Sequence, residues 1–226
     1  MKRVITALLA ALLVLSLAAC GSGVETKKLA GTWTCTIDVT DRMNAAAEQA
    51  LGLSAADGTA KMPLQLVLTV TEDGAYTLRY DSDAVRTALD AYAAALHPAA
   101  VESVYAAAEE QGLSREEYDA AMEKAGITMD DMVAAIFAGV DEEELLSLLT
   151  GRSAAITGYC RAEGGQLYLA DTAADLTETA DCLSYTLSDG TMTWTDAQGE
   201  LSSQLTEQEQ ELLRVPLTWT KQEESK

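Results

Sequence analysis

The chain has 226 residues, with 36 Asp and Glu against 15 Lys and Arg, and a formal charge of −21 at pH 7. That length suits one generous domain, or a domain carrying a large insertion. The charge argues against nucleic-acid binding, where Lys and Arg must replace phosphate counterions, and against a body that lies flat on anionic lipid.

Met1-Lys2-Arg3 supplies a short positive segment, Val4 to Leu17 is almost wholly apolar and uncharged, and Leu17-Ala18-Ala19-Cys20 closes it with small residues. That order is the secretory signal pattern, and the apolar run is short for a membrane-spanning helix. Its ending resembles the lipobox of bacterial lipoproteins, with Cys20 as the modified residue. The resemblance implies a diacylglyceryl group on the Cys20 thiol, cleavage before that cysteine, and an extracytoplasmic product anchored to the cell membrane through its lipid. On this reading residues 1–19 are the signal peptide. Residues 20–28 hold the lipidated cysteine and a flexible tether opened by Gly21-Ser22-Gly23. Residues 29–226 form the folded domain.

Strand signals come next. Trp33, Cys35, Ile37 and Val39 alternate with Thr34, Thr36 and Asp38, the period of a half-buried strand. Asp41 to Leu53 is Ala-rich with Gly52 near its end, which predicts a short helix. Leu64, Leu66, Leu68 and Val70 alternate again, Asp73-Gly74 turns the chain, and Tyr76, Leu78 and Tyr80 return as a β-hairpin.

From Ser82 to Gly151 the composition shifts to Ala, Glu, Leu and Met, with Pro98 the one proline. Ser114-x-x-Glu117 is a capping box and Thr128-x-x-Asp131 resembles one. Gly112, Gly126, Gly139 and Gly151 are natural helix stops, so residues 82–151 read as an insertion of several short helices. Asp130-Asp131 and Asp141-Glu142-Glu143-Glu144 fall at helix starts, where carboxylates favour the dipole. Met129, Met132, Val133, Ile136 and Phe137 share one helix face. Packing on the rest of the protein is the favoured reading of that face, ahead of a lid or a partner groove.

Strands resume with Ile156, Gly158 and Cys160, turn at Gly164-Gly165, and return through Leu167 and Leu169. After a polar stretch, Leu183, Tyr185 and Leu187 lead into Asp189-Gly190, and Met192 and Trp194 come back. Gln204 to Arg214 reads as a short helix with a Thr206-x-x-Glu209 capping box, and Val215, Leu217 and Trp219 as a last strand. Eight strands result, three hairpins holding six of them and one strand standing alone at each end. A lone first and a lone last strand pair with each other when the sheet closes. The alternative is an open antiparallel sheet with the helices over one face.

The stretch Leu29-Ala30-Gly31-Thr32-Trp33-Thr34 opens this array and resembles the Gly-x-Trp start of the first strand in lipocalin-like domains. That resemblance implies an α+β fold: an eight-stranded antiparallel lipocalin-like barrel, often with a helix closing one end, here with the large helical insertion between strands 3 and 4. In that family a basic residue near the last strand packs on the tryptophan, and Arg214 is the nearby arginine.

The chemistry-bearing residues are few. Cys35, Cys160 and Cys182 remain besides Cys20, and in an ideal barrel they fall on non-neighbouring strands, beyond bridging distance. They read as small buried apolar residues rather than as a disulfide framework. His97 is the one histidine, and no nucleophile elbow, phosphate-cradling loop or metal-ligand spacing accompanies it. No enzyme activity, metal or cofactor is expected. The inferred inward set is Trp33, Ile37, Leu66, Leu68, Tyr76, Leu78, Leu183, Tyr185, Trp194 and Leu217, with Gly158 as the position that opens space among them. Two functions compete: a pocket for a small apolar or amphipathic molecule, and a surface structural or protein-interaction module with a filled core. Large inward residues favour the filled core.

Overall fold

A computed structural model describes residues 21–53, 60–138, 155–177, 180–198 and 214–223. Cys20 with the expected signal segment, Gly139, Gly151, Asp141 to Glu144 and the expected helix with its Thr206 cap lie outside the described residues, apart from Arg214 itself. The strands are β1 Gly31–Asp38, β2 Pro63–Val70, β3 Ala75–Tyr80, β4 Ile156–Glu163, β5 Gln166–Ala170, β6 Asp181–Ser188, β7 Thr191–Gln198 and β8 Leu217–Lys221. The helices are α1 Gly21–Leu29, α2 Thr40–Leu51, α3 Ser82–Glu110, α4 Arg115–Ala125 and α5 Met129–Phe137, with a 3-10 turn at Ala173–Asp175.

The eight strands form a closed antiparallel barrel in sequence order. The lone first and last strands do pair, Trp33 facing Lys221 and Thr34 facing Thr220, so the open-sheet alternative is excluded. Each hairpin follows from its turn chemistry. Asp189 (φ 46°) and Gly190 (φ 75°) both take the left-handed conformation that a tight two-residue turn requires. Gly74 (φ 88°) sits where a Cβ would fall 2.4 Å from the Cys160 carbonyl oxygen, so only glycine fits. The large helical insertion joins β3 to β4.

The described residues divide into two compact units, one of barrel strands (residues to Cys35, Leu66–Tyr80 and 155 onward) and one of helices (Thr36–Gln65 and Asp81 to 138). Within the helical unit, α2 ends at Gly52 in the left-handed conformation, as its sequence foretells. Both capping boxes form, Ser114 with Glu117 on α4 and Thr128 with Asp131 on α5. The apolar face of α5 packs inward: Val133 joins Leu53 and Ala100 in a small core, with Met129, Ile136 and Phe137 against it.

Two expectations fail. The first half of the insertion is not a set of short helices but one helix of 29 residues that runs through Pro98. A proline removes one backbone hydrogen bond and bends a helix. Here the buried positions Val85, Ala88, Tyr92, Leu96 and Ala100 continue across it at helical spacing, so burial on both sides outweighs the lost bond. The tether expected over 20–28 is helical from Gly21, and Thr26 and Leu29 are buried. Glycine and serine are weak helix formers, so the segment's order comes from what Thr26 and Leu29 touch.

Candidate functional site

All ten residues of the inferred inward set are buried, none more than 9 % exposed. The register brings several together: Leu68 faces Leu78 across β2 and β3, and Tyr185, Trp194 and Leu217 form a row across β6, β7 and β8. The inferred set misses Leu64, Leu167, Met192 and Trp219, which are as deeply buried. Their signal was present, since Met192 and Trp219 sit two positions from Trp194 and Leu217 and share their strand faces.

Gly158 does not open space. It faces Tyr76, and a Cβ there would fall 2.9 Å from Tyr76 Cε1 and 2.6 Å from the Ala170 carbonyl oxygen. The glycine therefore admits the tyrosine ring. Burial pushes the Tyr76 hydroxyl up to about 12, with smaller contributions from Cys160, Asp171 and Asp181. Burial likewise carries the Cys160 thiol to about 12 and raises that of Cys35, where a backbone hydrogen bond from Thr218 acts the other way. Cys35, Cys160 and Cys182 stand on β1, β4 and β6, strands that do not adjoin one another; Cys35 and Cys160 are buried and Cys182 is half-buried.

The tryptophans stand on β1, β7 and β8, all of them buried. Trp194 and Trp219 pack with ring centroids 4.8 Å apart at 47°. Trp33 donates its indole N–H to the Leu29 carbonyl at 2.7 Å. Its ring carries a cation, but from Lys221 rather than Arg214: Lys221 Nζ lies 5.3 Å from the ring centroid. Lys221 reaches it because Trp33 and Lys221 are direct partners in the β1–β8 ladder, a register no single-strand pattern reveals. Gly31 (φ 127°) completes the arrangement, since a Cβ there would meet Lys221 Cε at 2.8 Å. The Gly-x-Trp spacing thus has a local physical reason.

Among the described residues the buried polar atoms without a hydrogen-bond partner are Glu25 Oε2, Arg161 Nε, Gln166 Oε1, Trp194 Nε1 and Trp219 Nε1. Sequence reasoning did not single out Glu25, which periodicity alone places in a polar linker. His97 lies in the helical unit, exposed, with Nε2 3.0 Å from Asp130 Oδ1. Among the described residues no group of three metal-ligating side chains gathers. No family model, no curated protein and no solved structure matches the chain.

Proposed function

We propose that the chain is a non-enzymatic, extracytoplasmic protein, lipid-anchored to the cell membrane through Cys20, whose barrel is a filled scaffold for a structural or protein-interaction role. The observation that carries the filled-core reading is the Tyr76 ring seated on Gly158, where the side chain is missing altogether. The stacked Trp194–Trp219 pair adds to it. The non-enzymatic part draws support from thiols held protonated by burial and from a histidine that engages an aspartate on the helical unit. Native mass spectrometry of protein from its own host, followed by titration with an apolar fluorescent probe, tests the scaffold: no co-purified lipid and no saturable probe binding are expected. Saturable binding that Leu68→Arg abolishes with the fold intact overturns it. For the anchor, Cys20→Ser is expected to release the protein from the membrane fraction or leave it uncleaved, and unchanged attachment and processing end that reading.

A second reading keeps the barrel as a pocket for a small apolar or amphipathic molecule. The unpartnered indole N–H groups of Trp194 and Trp219 favour it, because buried donors ordinarily find an acceptor. Under this reading, probe binding weakens in Trp194→Phe and Trp219→Phe.

A further inference from the structure

The β3–β4 ladder ends where Ala75 faces Tyr159, yet β4 continues to Glu163. The last stretch of β4 therefore presents donors with no strand beside them on that edge. Cys160 N–H bonds to the Gly74 carbonyl at 2.7 Å, in the turn. Ala162 N–H has neither strand nor turn to meet, and bonds instead to the Thr26 hydroxyl oxygen on α1 at 3.0 Å. One turn on, the Leu29 carbonyl accepts from the Trp33 indole, and the Leu29 side chain is buried. Thr26 thus ties α1 to β4 and Leu29 ties it to β1, with both side chains buried.

Glu25 works against that hold. It sits beside Thr26 on the same helix, half-buried, with one of its carboxylate oxygens shielded from solvent and without a hydrogen-bond donor. The groups that sense it are inside the barrel: Tyr185 is raised first by burial, then by the charges of Glu25 and Cys160. A buried carboxylate oxygen with no hydrogen bond is costly, and release into water relieves the cost. The helix itself adds little, being nine residues long with two glycines and no acid in its first turn. Ala30 alone separates it from β1, and Gly31 beside it is in a glycine-only conformation that serves as a pivot.

We propose that α1 is a detachable plug: Thr26 and Leu29 seat it on the barrel end, Glu25 keeps it near release, and its departure uncovers the Ala162 edge and the Trp33 ring without unfolding the barrel. Nothing in this arrangement depends on a lipid at Cys20, so the plug and the anchor stand or fall separately.

Hydrogen exchange on the full chain tests it, with the Ala162 amide and the Trp33 indole N–H as reporters. Both are expected to exchange at a common rate, faster than the ladder amides of β2 and β3 that report global opening. Glu25→Gln removes the carboxylate at constant shape and is expected to slow both reporters roughly tenfold, leaving the ladder amides unchanged. Thr26→Val is expected to speed them. Reporters that exchange only at the ladder rate overturn the proposal. So does a Glu25→Gln protein, its ladder intact, in which the reporters exchange at the original rate or faster.

Discussion

The two units of the chain are held by different physics. The barrel unit depends on residues far apart in sequence. Trp33 meets Lys221, Tyr76 lies on Gly158, and Trp194 packs on Trp219. Its aromatic interior is buried almost completely. The helical unit adds local signals to a small buried cluster. Capping boxes start α4 and α5, Asp81 caps α3 through Ala84 N–H, and its apolar cluster centres on Leu53, Ala100 and Val133. Around α4 the ties are exposed: Arg115 bonds Glu102 and Glu109 and stacks on Tyr105, whose hydroxyl donates to Asp119. Exposed pairs of that kind contribute little. Burial should thus govern the barrel, while in the helices local caps add to a smaller buried cluster.

Removing a large barrel side chain is the most severe way to test this. Trp219→Ala leaves a cavity against Trp194 and should cost about 3–5 kcal/mol, read as a lower denaturation midpoint by near-ultraviolet circular dichroism. A loss below 1 kcal/mol, on the same scale of large-to-small changes, would mean the barrel core is not the main source of stability.

High pH should come next, and should strike the barrel first. The Tyr76 hydroxyl and Cys160 thiol both titrate near 12 in the folded barrel, above their ordinary 10.0 and 9.0. The unfolded chain loses those protons first, so stability is intact below pH 9 and falls as pH rises towards 12. Tyr76→Phe should flatten part of that fall. An alkaline melting profile identical in Tyr76→Phe refutes the assignment.

Gly158→Ala is a smaller blow. The new methyl is forced against Tyr76 and the Ala170 carbonyl, at about 1–3 kcal/mol for overpacking. If it stabilises the protein instead, a void exists at Gly158 and the filled-core reading loses its main support.

The mildest change concerns the helices. Ser114→Ala should cost about 1 kcal/mol and speed amide exchange in α4 while the barrel ladders keep their rates. Low pH should mimic it. The Glu117 carboxyl is held below its ordinary value by the Ser114 backbone N–H and then its hydroxyl, and that of Asp131 by the Thr128 hydroxyl and then its backbone N–H. Depressed carboxyls stabilise above their ordinary range, and that contribution disappears as pH falls through the lowered values. Acid should therefore fray the capped starts of α4 and α5.

The same division explains what was legible. Alternation on Trp33–Cys35–Ile37 and Leu64–Leu66–Leu68, the three turn pairs and both capping boxes are local signals, and each became the element they announced. The β1–β8 closure followed because two lone strands have one partner each. What escaped reading needs distant partners. Pro98 looks like a break until the buried face of α3 is seen to continue past it. Gly158 looks like a gap until Tyr76 occupies it, and Arg214 looks like the cation for Trp33 until the register delivers Lys221. Residues 21–28 look like a linker until Thr26 finds Ala162.

The seam between β1 and β8 also sets an order of events in time. The side-chain bond across it, from Gln222 Nε2 to Thr34 Oγ1 at 2.7 Å, joins positions 188 apart in sequence. Closing so long a loop carries an entropy loss, and contacts at such separation slow folding. The capped helices need only neighbours within reach. During synthesis, then, the insertion can take shape early, while the barrel stays an unclosed sheet with two free edges until Leu217–Lys221 arrives to seal it.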